Sequence, residues 1–550
     1  MKKYYAFLML ATALVACSRE EQPEAAKPET VFTYSLSVEA SKGADSKALS
    51  LDGKTLNATW AEGERVTVYN VTRSAELGGY LTAQSSGAST TLKGGLTGTI
   101  QNDDELKLKF LSPSYSSQNG TLENIAANCD YAEATVTVTD ASTPSVTTTA
   151  ASFTNQQAIV KFTLKRSDGS ALPCNPEALR VSDGTNTIVM TGIPGSTYSN
   201  GNNGTGVLYV AMPGFSDKTV IVDAYCNEKL YSYTKADVSF ADGNYYAITV
   251  KMSPVTNVDL ARVISNLELQ DGDMATGTLG SIVRVSVASG ATVTLSGATI
   301  NGTNSWRYAW GGLHCKGNAT VVLADGTTNM LRGSYDYPGI YVSEGNTVTI
   351  QGTGTLNASS SGDGAGIGGG WGIDCGNILI KNGTINATGG FFAAGIGSGY
   401  SRSCGSIEIQ GGTVTAHGGN YAAGIGTGHG QEMEDFDIDP ETDEPMPNGN
   451  FMYDISTCGT ITISGGTVVA TGGDYAAGIG TGEIGNCGNI TITSGVMRVT
   501  ATKGFVGQHS IGRGNDGINF QYYWEYEDFS VYIGGANVGY IDNDTYTYQP

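Results

Sequence analysis

The chain has 550 residues, of which 77 are Gly and only 14 are Pro, and its formal net charge is −22. Because this length exceeds what a single core usually organises, two or three domains are expected. Hydrophobic residues make up 40% of the chain, which excludes general disorder, and the acidic balance argues against nucleic acid or an anionic membrane surface as a partner.

The first residues are typical of an exported lipoprotein. Two lysines precede an apolar stretch, residues 6–16, that is too short to span a bilayer. The stretch runs into Leu-Val-Ala-Cys17, which resembles the bacterial lipobox. That resemblance implies cleavage before Cys17 and acylation of its thiol, so residues 1–17 are predicted to be a lipoprotein signal peptide.

Residues 18–30 carry Pro and several Glu without an apolar pattern, which predicts a flexible tether. Glu20 and Glu21 resemble the acidic export tag of Bacteroidetes surface lipoproteins. The resemblance implies an outer-membrane lipoprotein exposed on the cell surface. The alternative is an acidic tether without an export role.

Residues 31–253 alternate apolar and polar side chains in short runs, such as Arg65–Tyr69 and Thr219–Tyr225, separated by Gly, Asn, Asp and Ser. This period of two predicts antiparallel strands with one face on a core. We expect two β-sandwich lobes, divided near the Ser/Thr-rich stretch 141–152. Residues 254–262 are predicted to be a linker.

Three pieces of this region resemble the fimbrillin-like (Mfa-like) lipoproteins of Bacteroidetes: Trp60–Val68, Gln157–Leu164 and Asp242–Val250. The resemblance implies a surface or pilus-associated region that is not an enzyme. Shaft subunits of that family are thought to lend a terminal strand to a neighbour. Here the final strand, 245–252, continues into a long further region, which favours a tip or stand-alone adhesin.

A repeat dominates the C-terminal half. The pattern Cys-Gly-x-Ile-x-Ile recurs at Cys375, Cys404, Cys458 and Cys487, with spacings of 29, 54 and 29 residues. The middle spacing is one 29-residue period plus a 25-residue insertion. Each period holds three short β-rich runs, which cannot close a core alone but can stack. Residues 263–550 are therefore predicted to form a right-handed parallel β-helix, capped near 520–528, and the fold class is all-β.

This half resembles the carbohydrate-binding β-helix family of the pectate-lyase-like superfamily. The residues that carry the resemblance are Val321–Asn329, Val348–Leu356 and Gly364–Gly368. It implies binding of plant-type or acidic polysaccharides, sometimes with calcium. Lyases and hydrolases share the architecture, but the six Arg after residue 262 are scattered and no Asp-Asp or Asp-x-Asp falls on a coil strand. We therefore expect no catalysis.

The four repeated cysteines should stack in one column. They are read as a buried thiol ladder, with disulfides between adjacent coils as an alternative. Metal binding is a further alternative, disfavoured because the four His lie elsewhere in the repeat.

The insertion is rich in carboxylates. Asp435, Asp437, Asp439 and Glu441 are candidate calcium ligands, but Pro440 stands where a calcium loop of the EF-hand type needs Gly. A solvated acidic loop is the alternative.

Three aromatic residues share one position of the coil: Phe392, Tyr421 and Tyr475. Such a column either stabilises the coils by stacking or offers ring faces to sugars. Neighbouring Asn420 and Asp474 are candidates to reach sugar hydroxyls. The net charge predicts a neutral glycan without metal, or an acidic one only with calcium.

Together these features predict a non-catalytic surface lipoprotein that acts as a carbohydrate-binding adhesin toward a host or dietary polysaccharide. The alternative is a fimbrial tip or structural protein, with fimbrial subunits as partners and the β-helix as a spacer or protein-binding surface. A polysaccharide lyase or hydrolase is the third reading.

Overall fold

The computed structural model describes residues 32–42, 50–52, 55–57, 59–111, 114–142, 144–194, 206–438, 445–515 and 528–550. Cys17, the tether and most of the predicted cap at 520–528 lie outside these ranges. The described residues form 49 strands, one α-helix and one 3-10 helix. They divide into two compact units, one within residues 1–112 and 131–155 and one within 113–130 and 156–550.

The first unit is a mostly antiparallel sheet that closes on itself. Its strands are β1 (Phe32–Lys42), β2 (Ser50–Asp52), β3 (Thr55–Asn57), β4 (Arg65–Asn70), β5 (Ala75–Ala83), β6 (Ser89–Gly98), β7 (Glu105–Phe110), β8 (Ala132–Asp140), β9 (Ser145–Thr148) and β10 (Ala151–Asn155). All but the β2–β3 hairpin join one sheet, in the order β10-β1-β6-β5-β4-β7-β8-β9, and the extra pairs β1–β9 and β8–β10 close it. Strand β1 is paired in parallel to β9 and β10. Along β7 exposed or half-buried residues alternate with buried ones, so each strand sends every second side chain to the core.

The stretch 141–152 lies inside this first unit. It contains β9 and the start of β10, and the chain changes sheets only after Asn155. The Ser and Thr of this stretch alternate with the buried residues Val146 and Ala151, so the stretch itself forms strands. The division between the two units follows three residues later, after Asn155, which is close to the predicted place.

The second unit begins with the helix α1 (Leu122–Asn128) and a seven-stranded sheet. Its strands are β11 (Ala158–Arg166), β12 (Ala178–Ser182), β13 (Thr187–Thr191), β14 (Val207–Met212), β15 (Phe215–Cys226), β16 (Lys229–Phe240) and β17 (Tyr245–Pro254), in the order β13-β12-β15-β16-β17-β11-β14. The last strand in sequence, β17, therefore lies between β16 and β11 and not at an edge.

The remainder of the second unit is a parallel β-helix. After β18 (Asn257–Asp259) and the 3-10 helix Leu260–Arg262, its strands are β19 (Leu267–Leu269), β20 (Met274–Thr278), β21 (Val285–Val287), β22 (Thr292–Asn301), β23 (Leu313–Cys315), β24 (Ala319–Leu323), β25 (Thr328–Arg332), β26 (Ile340–Val342), β27 (Thr347–Gly352), β28 (Thr355–Ser359), β29 (Ile367–Gly368), β30 (Asn377–Ile380), β31 (Thr384–Thr388), β32 (Ile396–Gly397), β33 (Ser403–Cys404), β34 (Ile407–Ile409), β35 (Thr413–His417), β36 (Ile425–Gly426), β37 (Gln431–Ile438), β38 (Pro445–Asp454), β39 (Ser456–Cys458), β40 (Ile461–Ile463), β41 (Thr467–Thr471), β42 (Ile479–Gly480), β43 (Gly485–Cys487), β44 (Ile490–Ile492), β45 (Arg498–Thr502), β46 (Ile511–Gly512), β47 (Val531–Ile533), β48 (Ala536–Asn537) and β49 (Thr545–Tyr548).

Most of these strands stack in three long parallel ladders, beside a short fourth ladder of β33, β39 and β43. One runs through β20, β22, β24, β27, β30, β34, β40, β44 and β47, a second from β22 through β25, β28, β31, β35 and β41 to β45, and a third from β19 to β46. Each coil contributes fully buried Ile, Leu, Val or Ala side chains to one continuous core. The predicted all-β class, with antiparallel sheets followed by a parallel β-helix, is confirmed.

The predicted linker 254–262 is part of the β-helix. Strand β18 within it pairs in parallel with β20, so the first coil begins there. The core reaches back into the preceding sheet, because Tyr225 and Leu230 belong to the same buried cluster as the coils. Asp223, fully buried, forms ion pairs with Arg180 at 3.3 Å and with Arg262. The seven-stranded sheet and the β-helix are thus built on shared apolar and ionic contacts.

Two elements modify the regular stack. The insertion forms an antiparallel hairpin of β37 and β38. At the C-terminal end, β49 pairs antiparallel with β45, which covers the edge of the last coil and ends the parallel ladder. Covering an edge in this way prevents further strands from adding.

Candidate functional site

One loop of each coil carries the candidate site, and a column of glycines sets its register. The glycines are Gly390, Gly419, Gly473 and Gly504. A Cβ on any of them would lie only 1.7–1.9 Å from the carbonyl oxygen of the loop one coil earlier. No side chain fits in that space, so the loops stack closely and the two residues after each glycine recur at equivalent places.

The second residue after each glycine forms what we call the inner column, whose aromatic members are Phe392, Tyr421 and Tyr475. The rings of Phe392 and Tyr421 have centroids 5.4 Å apart at 25°, and those of Tyr421 and Tyr475 are 4.6 Å apart at 13°. The predicted column is therefore present as a stack. Stacking of this kind covers the ring faces with neighbouring rings, so the geometry favours a stabilising ladder for these three residues.

The first residue after each glycine forms the outer column: Phe391, Asn420, Asp474 and Phe505. The same backbone hydrogen bond repeats along it. Tyr421 N donates to Phe391 O at 3.4 Å, Tyr475 N to Asn420 O at 3.1 Å, and Val506 N to Asp474 O at 2.6 Å. Phe391 is 52% exposed and Phe505 is 96% exposed. The outer column therefore places two exposed phenyl rings at the ends of a row whose middle is polar.

Asn420 and Asp474 were predicted to lie beside the binding residues, and they do lie in this row. The aromatic partners beside them are Phe391 and Phe505, which the sequence reasoning missed. The available signal is that each coil carries two adjacent residues after its glycine, with Phe at the first position in two of the four coils. An aromatic residue recurs at the second position in three coils, and those three are the ones that stack on each other.

A third group of rings flanks the inner column. Trp371, which is 46% exposed, lies 4.9 Å from the ring of Tyr400, and His429 lies 5.4 Å from Phe392 and 5.0 Å from Tyr421. Burial lowers the pKa of His429 to about 4, against a weaker opposing effect of its hydrogen bond to the Glu483 backbone. The imidazole is therefore neutral at physiological pH and acts as a flat ring of the cluster.

Two carboxylates begin the row at the coils before Phe391. Asp363 Oδ1 accepts from Phe391 N at 3.0 Å, and Asp336 Oδ1 accepts from Asp363 N at 2.9 Å. Burial raises the pKa of Asp363, and the charge of Asp336 adds to that effect. Since these oxygens accept backbone N–H groups of the next coil, they align the loops.

A separate exposed ring lies nearer the start of the β-helix. Trp306 is 73% exposed, and the Arg307 guanidinium lies 5.7 Å from its ring centroid. Backbone hydrogen bonds connect its loop to the loop of Trp371 one coil at a time. Tyr335 N donates to Thr303 O at 2.7 Å, and Trp371 N donates to Asp336 O at 3.0 Å. The exposed rings thus follow one edge of the β-helix.

The predicted cysteine column is present and buried. Cys375 pairs with Cys404, Cys404 with Cys458, and Cys458 with Cys487, each on adjacent coils. All four are free thiols in this structure. A different pair, Cys174 and Cys226, forms a disulfide in the seven-stranded sheet.

The four predicted calcium ligands belong to the insertion. Asp439 and Glu441 lie outside the described residues, and for Asp435 and Asp437 only the backbone of β37 is described. Among the side chains that are described, no group of three or more His, Cys, Asp or Glu is arranged to hold a metal ion. Nor does the described part of the chain contain a helix long and apolar enough to cross a membrane.

Comparison with known proteins identifies the repeat. A family model described as a β-helix repeat matches residues 348–371, 378–400, 407–429 and 461–483. These four segments contain the coils with the inner column and most of the outer column. No curated protein matches the chain.

Solved structures match about two fifths of the chain. They include a protein assigned to cell adhesion from Bacteroides uniformis (14% identity, 40% of this chain and 96% of that one, TM-score 0.25). A fimbrial assembly protein from Parabacteroides distasonis gives 13% identity over 41% of this chain and 100% of that one, with a TM-score of 0.22. A shaft pilin from Lactobacillus rhamnosus gives 10% identity, 40% and 99% coverage, and a TM-score of 0.20.

Proposed function

We propose that this protein is a non-catalytic surface adhesin whose β-helix binds an extended glycan along the outer column. The observation that carries the proposal is the row of Phe391, Asn420, Asp474 and Phe505 on consecutive coils. Parallel strands repeat every ~4.8 Å, so the row spans about 14 Å. The ~4.8 Å distance between neighbouring coils is close to the length of one sugar residue. A linear glycan of about four residues therefore matches the row.

The chemistry of the row suits a neutral sugar chain. Exposed phenyl rings pack against the apolar C–H faces of pyranose rings, while the amide of Asn420 and the carboxylate of Asp474 are hydrogen-bonding groups for hydroxyls. Asp474 and the overall charge of −22 repel a polyanion. An acidic polysaccharide is therefore expected to bind only with calcium. The proposed calcium ligands are the carboxylates of the insertion.

The binding test uses the full chain with Cys17→Ala, which keeps the sheet that shares its core with the β-helix. The protein is screened against neutral and acidic polysaccharides, each with and without calcium, and the best ligand is titrated by calorimetry. The double variant Phe391→Ala/Phe505→Ala is expected to bind at least tenfold more weakly, which corresponds to about 1.4 kcal/mol.

The matched control is Met497→Ala. Met497 is also apolar and 71% exposed, but it lies at a different turn, where its N–H donates to Gly466 O. Its affinity should equal that of the parent. If the double variant also keeps full affinity, the glycan site is not the outer column. If no glycan binds under any condition, the structural alternative replaces the adhesin.

We propose further that Cys17 carries a lipid that anchors the protein to the outer membrane with the body exposed on the cell surface. Replacing Cys17 by Ala should move the protein from the membrane fraction to the soluble fraction. Protease added to intact cells should cleave the parent protein. Membrane retention of the variant, or full protection from protease, contradicts the respective claim.

One observation bears on the fimbrial alternative. Strand β17 pairs with β11 from Ile159–Tyr245 to Arg166–Met252 and with β16 at its other edge. Lending β17 to a neighbouring subunit would break both ladders. We therefore propose a stand-alone or tip adhesin, which should remain monomeric when purified, whereas polymers that survive mild detergent would favour a shaft subunit.

A further inference from the structure

A buried column of thiols crosses the coils that carry the aromatic residues. Cys375, Cys404, Cys458 and Cys487 lie on four consecutive coils in parallel register. Each is at most 6% exposed. Neither the proposed glycan site nor the fold itself needs sulfur at these positions, since other small apolar residues would fill the same space.

Two members of the column are in direct contact. The Sγ atoms of Cys375 and Cys404 are 2.8 Å apart, closer than two sulfur atoms ordinarily approach without a bond. Cys404 Sγ and Cys458 Sγ each also lie near the carbonyl oxygen of the glycine one coil earlier, at 3.6 Å from Gly376 O and 3.8 Å from Gly405 O, so the sulfur–sulfur contact is what distinguishes the first pair. The contact therefore singles out one pair within the column.

The backbone also distinguishes this pair. Cys404, Cys458 and Cys487 lie in the regular ladder β33-β39-β43, whereas Cys375 meets Cys404 through an isolated bridge outside any strand. Coils spaced ~4.8 Å apart place the Cα atoms within the range that a disulfide spans. In-register strands point their Cβ atoms the same way, which opposes bonding. The backbone of Cys375 is fixed on the next coil, since its N–H donates to Ser403 O at 2.9 Å and its carbonyl oxygen accepts from Gly405 N at 3.1 Å, so the bond requires the two side chains to take different rotamers.

The same chain already carries a disulfide. Cys174 and Cys226 are bonded, with Cα atoms 5.6 Å apart. Structural disulfides form in oxidising compartments outside the cytosol, so this bond indicates that the chain meets a disulfide donor as it matures. The hydrogen bond with Cys375, together with burial, raises the pKa of the Cys404 thiol well above its usual range, so attack requires the thiols to be reached before the coils close.

We propose that Cys375 and Cys404 are oxidised to a disulfide between adjacent coils, with a protein disulfide of the exported compartment as the oxidant. The thiolate of one cysteine attacks the donor disulfide and releases one donor sulfur as a thiolate. The second cysteine then attacks the mixed disulfide and releases the other donor sulfur. Two protein thiols lose two protons and two electrons, and the donor leaves as a dithiol.

The bond would clamp the two coils that carry Trp371 and Tyr400. Each of these residues lies four positions before its cysteine, and their rings are in contact at 4.9 Å. The disulfide therefore fixes the spacing of two coils on which the exposed edge is built. It does so whether or not that edge binds a glycan.

The test maps the bonds in the full chain purified after export, without added oxidant or reductant. The protein is unfolded in the presence of an alkylating reagent and cleaved after Lys, Arg and Glu. Cleavage at Arg402, Glu408 and Glu483 places the four column cysteines on separate peptides. Mass spectrometry is expected to find the Cys375 and Cys404 peptides linked, and separated after reduction.

The pair Cys174–Cys226 is the internal control, since its linkage in the same digest shows that the sample was oxidised. Alkylation of both Cys375 and Cys404 in a sample where that control pair is linked overturns the proposal. So does a link from Cys404 to Cys458. Cys458→Ser should leave the Cys375–Cys404 link intact, whereas Cys375→Ser should expose Cys404 to the reagent. The bonds of the parent protein are mapped without any variant, so the proposal can be refuted even if both variants fail to fold.

Discussion

The closed sheet of the first unit and the β-helix both bury an apolar core between β-strands, but they pair their strands in different ways. In the first unit each strand has its own sequence, and β1 pairs with β6 across more than fifty residues. In the β-helix, Ile367, Ile396, Ile425, Ile479 and Ile511 occupy one position of successive coils, each fully buried. The first arrangement depends on many different contacts made once, and the second on a few contacts made repeatedly.

This difference concentrates steric constraint in the β-helix. Gly426 has φ +136°, and a Cβ there would lie 1.8 Å from Gly480 O, whereas Gly63 in the first unit has φ +89° and open space around it. Gly426→Ala is expected to reduce the free energy of unfolding by more than about 4 kcal/mol, because the clash must separate two coils. Gly63→Ala should cost about 1–2 kcal/mol from backbone strain alone. Calorimetric unfolding compares them, and equal losses would contradict this account.

Core truncation should separate the regions by how far the damage spreads. Ile425→Ala and Leu108→Ala each remove a fully buried side chain, and each should cost about 3 kcal/mol. In the β-helix, faster amide exchange is expected mainly at the neighbouring coils of Ile396 and Ile479, because each coil contacts only its neighbours. In the closed sheet the faster exchange should extend to all its strands. A uniform response in both regions would argue against the distinction.

Acid should weaken the β-helix selectively, because all four His of the chain lie after residue 313. Burial lowers the pKa of His314 and of His429 to about 4, while an unfolded chain binds the proton near 6.5. The unfolded state therefore takes up protons first, and the free energy of unfolding should fall between pH 6.5 and 4, by at most about 3 kcal/mol for each ring.

The control for this pH dependence is the double variant His314→Gln/His429→Gln. Urea unfolding at pH 7 and pH 4.5 should show a smaller loss for the variant than for the parent. Neighbouring carboxylates titrate in both proteins and cancel in that difference. An unchanged loss would show that these rings are protonated in the folded state.

Within the β-helix, mutation of the inner column should reduce stability more than mutation of the outer column. Tyr421→Ala removes stacking on both sides and should cost about 1–2 kcal/mol of stability. Phe391→Ala should cost less, at most about 1 kcal/mol, because its half-exposed ring makes only edge contacts with Phe392 and Tyr421. Thermal unfolding of both variants is the measurement. A larger loss for Phe391 would mean that the outer ring is structural and not available to a ligand.

Repetition also explains what could be predicted from the sequence. The spacing of Cys375, Cys404, Cys458 and Cys487 gave the coil length, and the structure places them on adjacent coils. In the first unit, alternation predicted strands but gave no partner for any of them, because partners such as β1 and β6 share no sequence feature. The start of the β-helix at β18 was assigned to a linker, since its three residues show no repeat.

The sequence-based prediction and the proposed site share one loop of the coil but differ in the residue that faces the ligand. Sequence places Phe391 and Phe392 side by side, and only the backbone decides which ring stacks between coils and which reaches solvent. The tight approach of Gly390 to the preceding loop fixes the height of the two residues on the coil. A β-helix therefore reveals its register in its sequence, while the direction of each side chain in an irregular loop depends on local packing.

A crystal structure of the Cys17→Ala protein with a bound oligosaccharide would show whether the outer column holds a glycan. Sugar rings are expected to pack on Phe391 and Phe505, with hydroxyls hydrogen-bonded to Asn420 and Asp474 and one sugar residue for about each coil. A glycan bound elsewhere, such as at Trp306, with the outer column left in solvent, would contradict the proposed site.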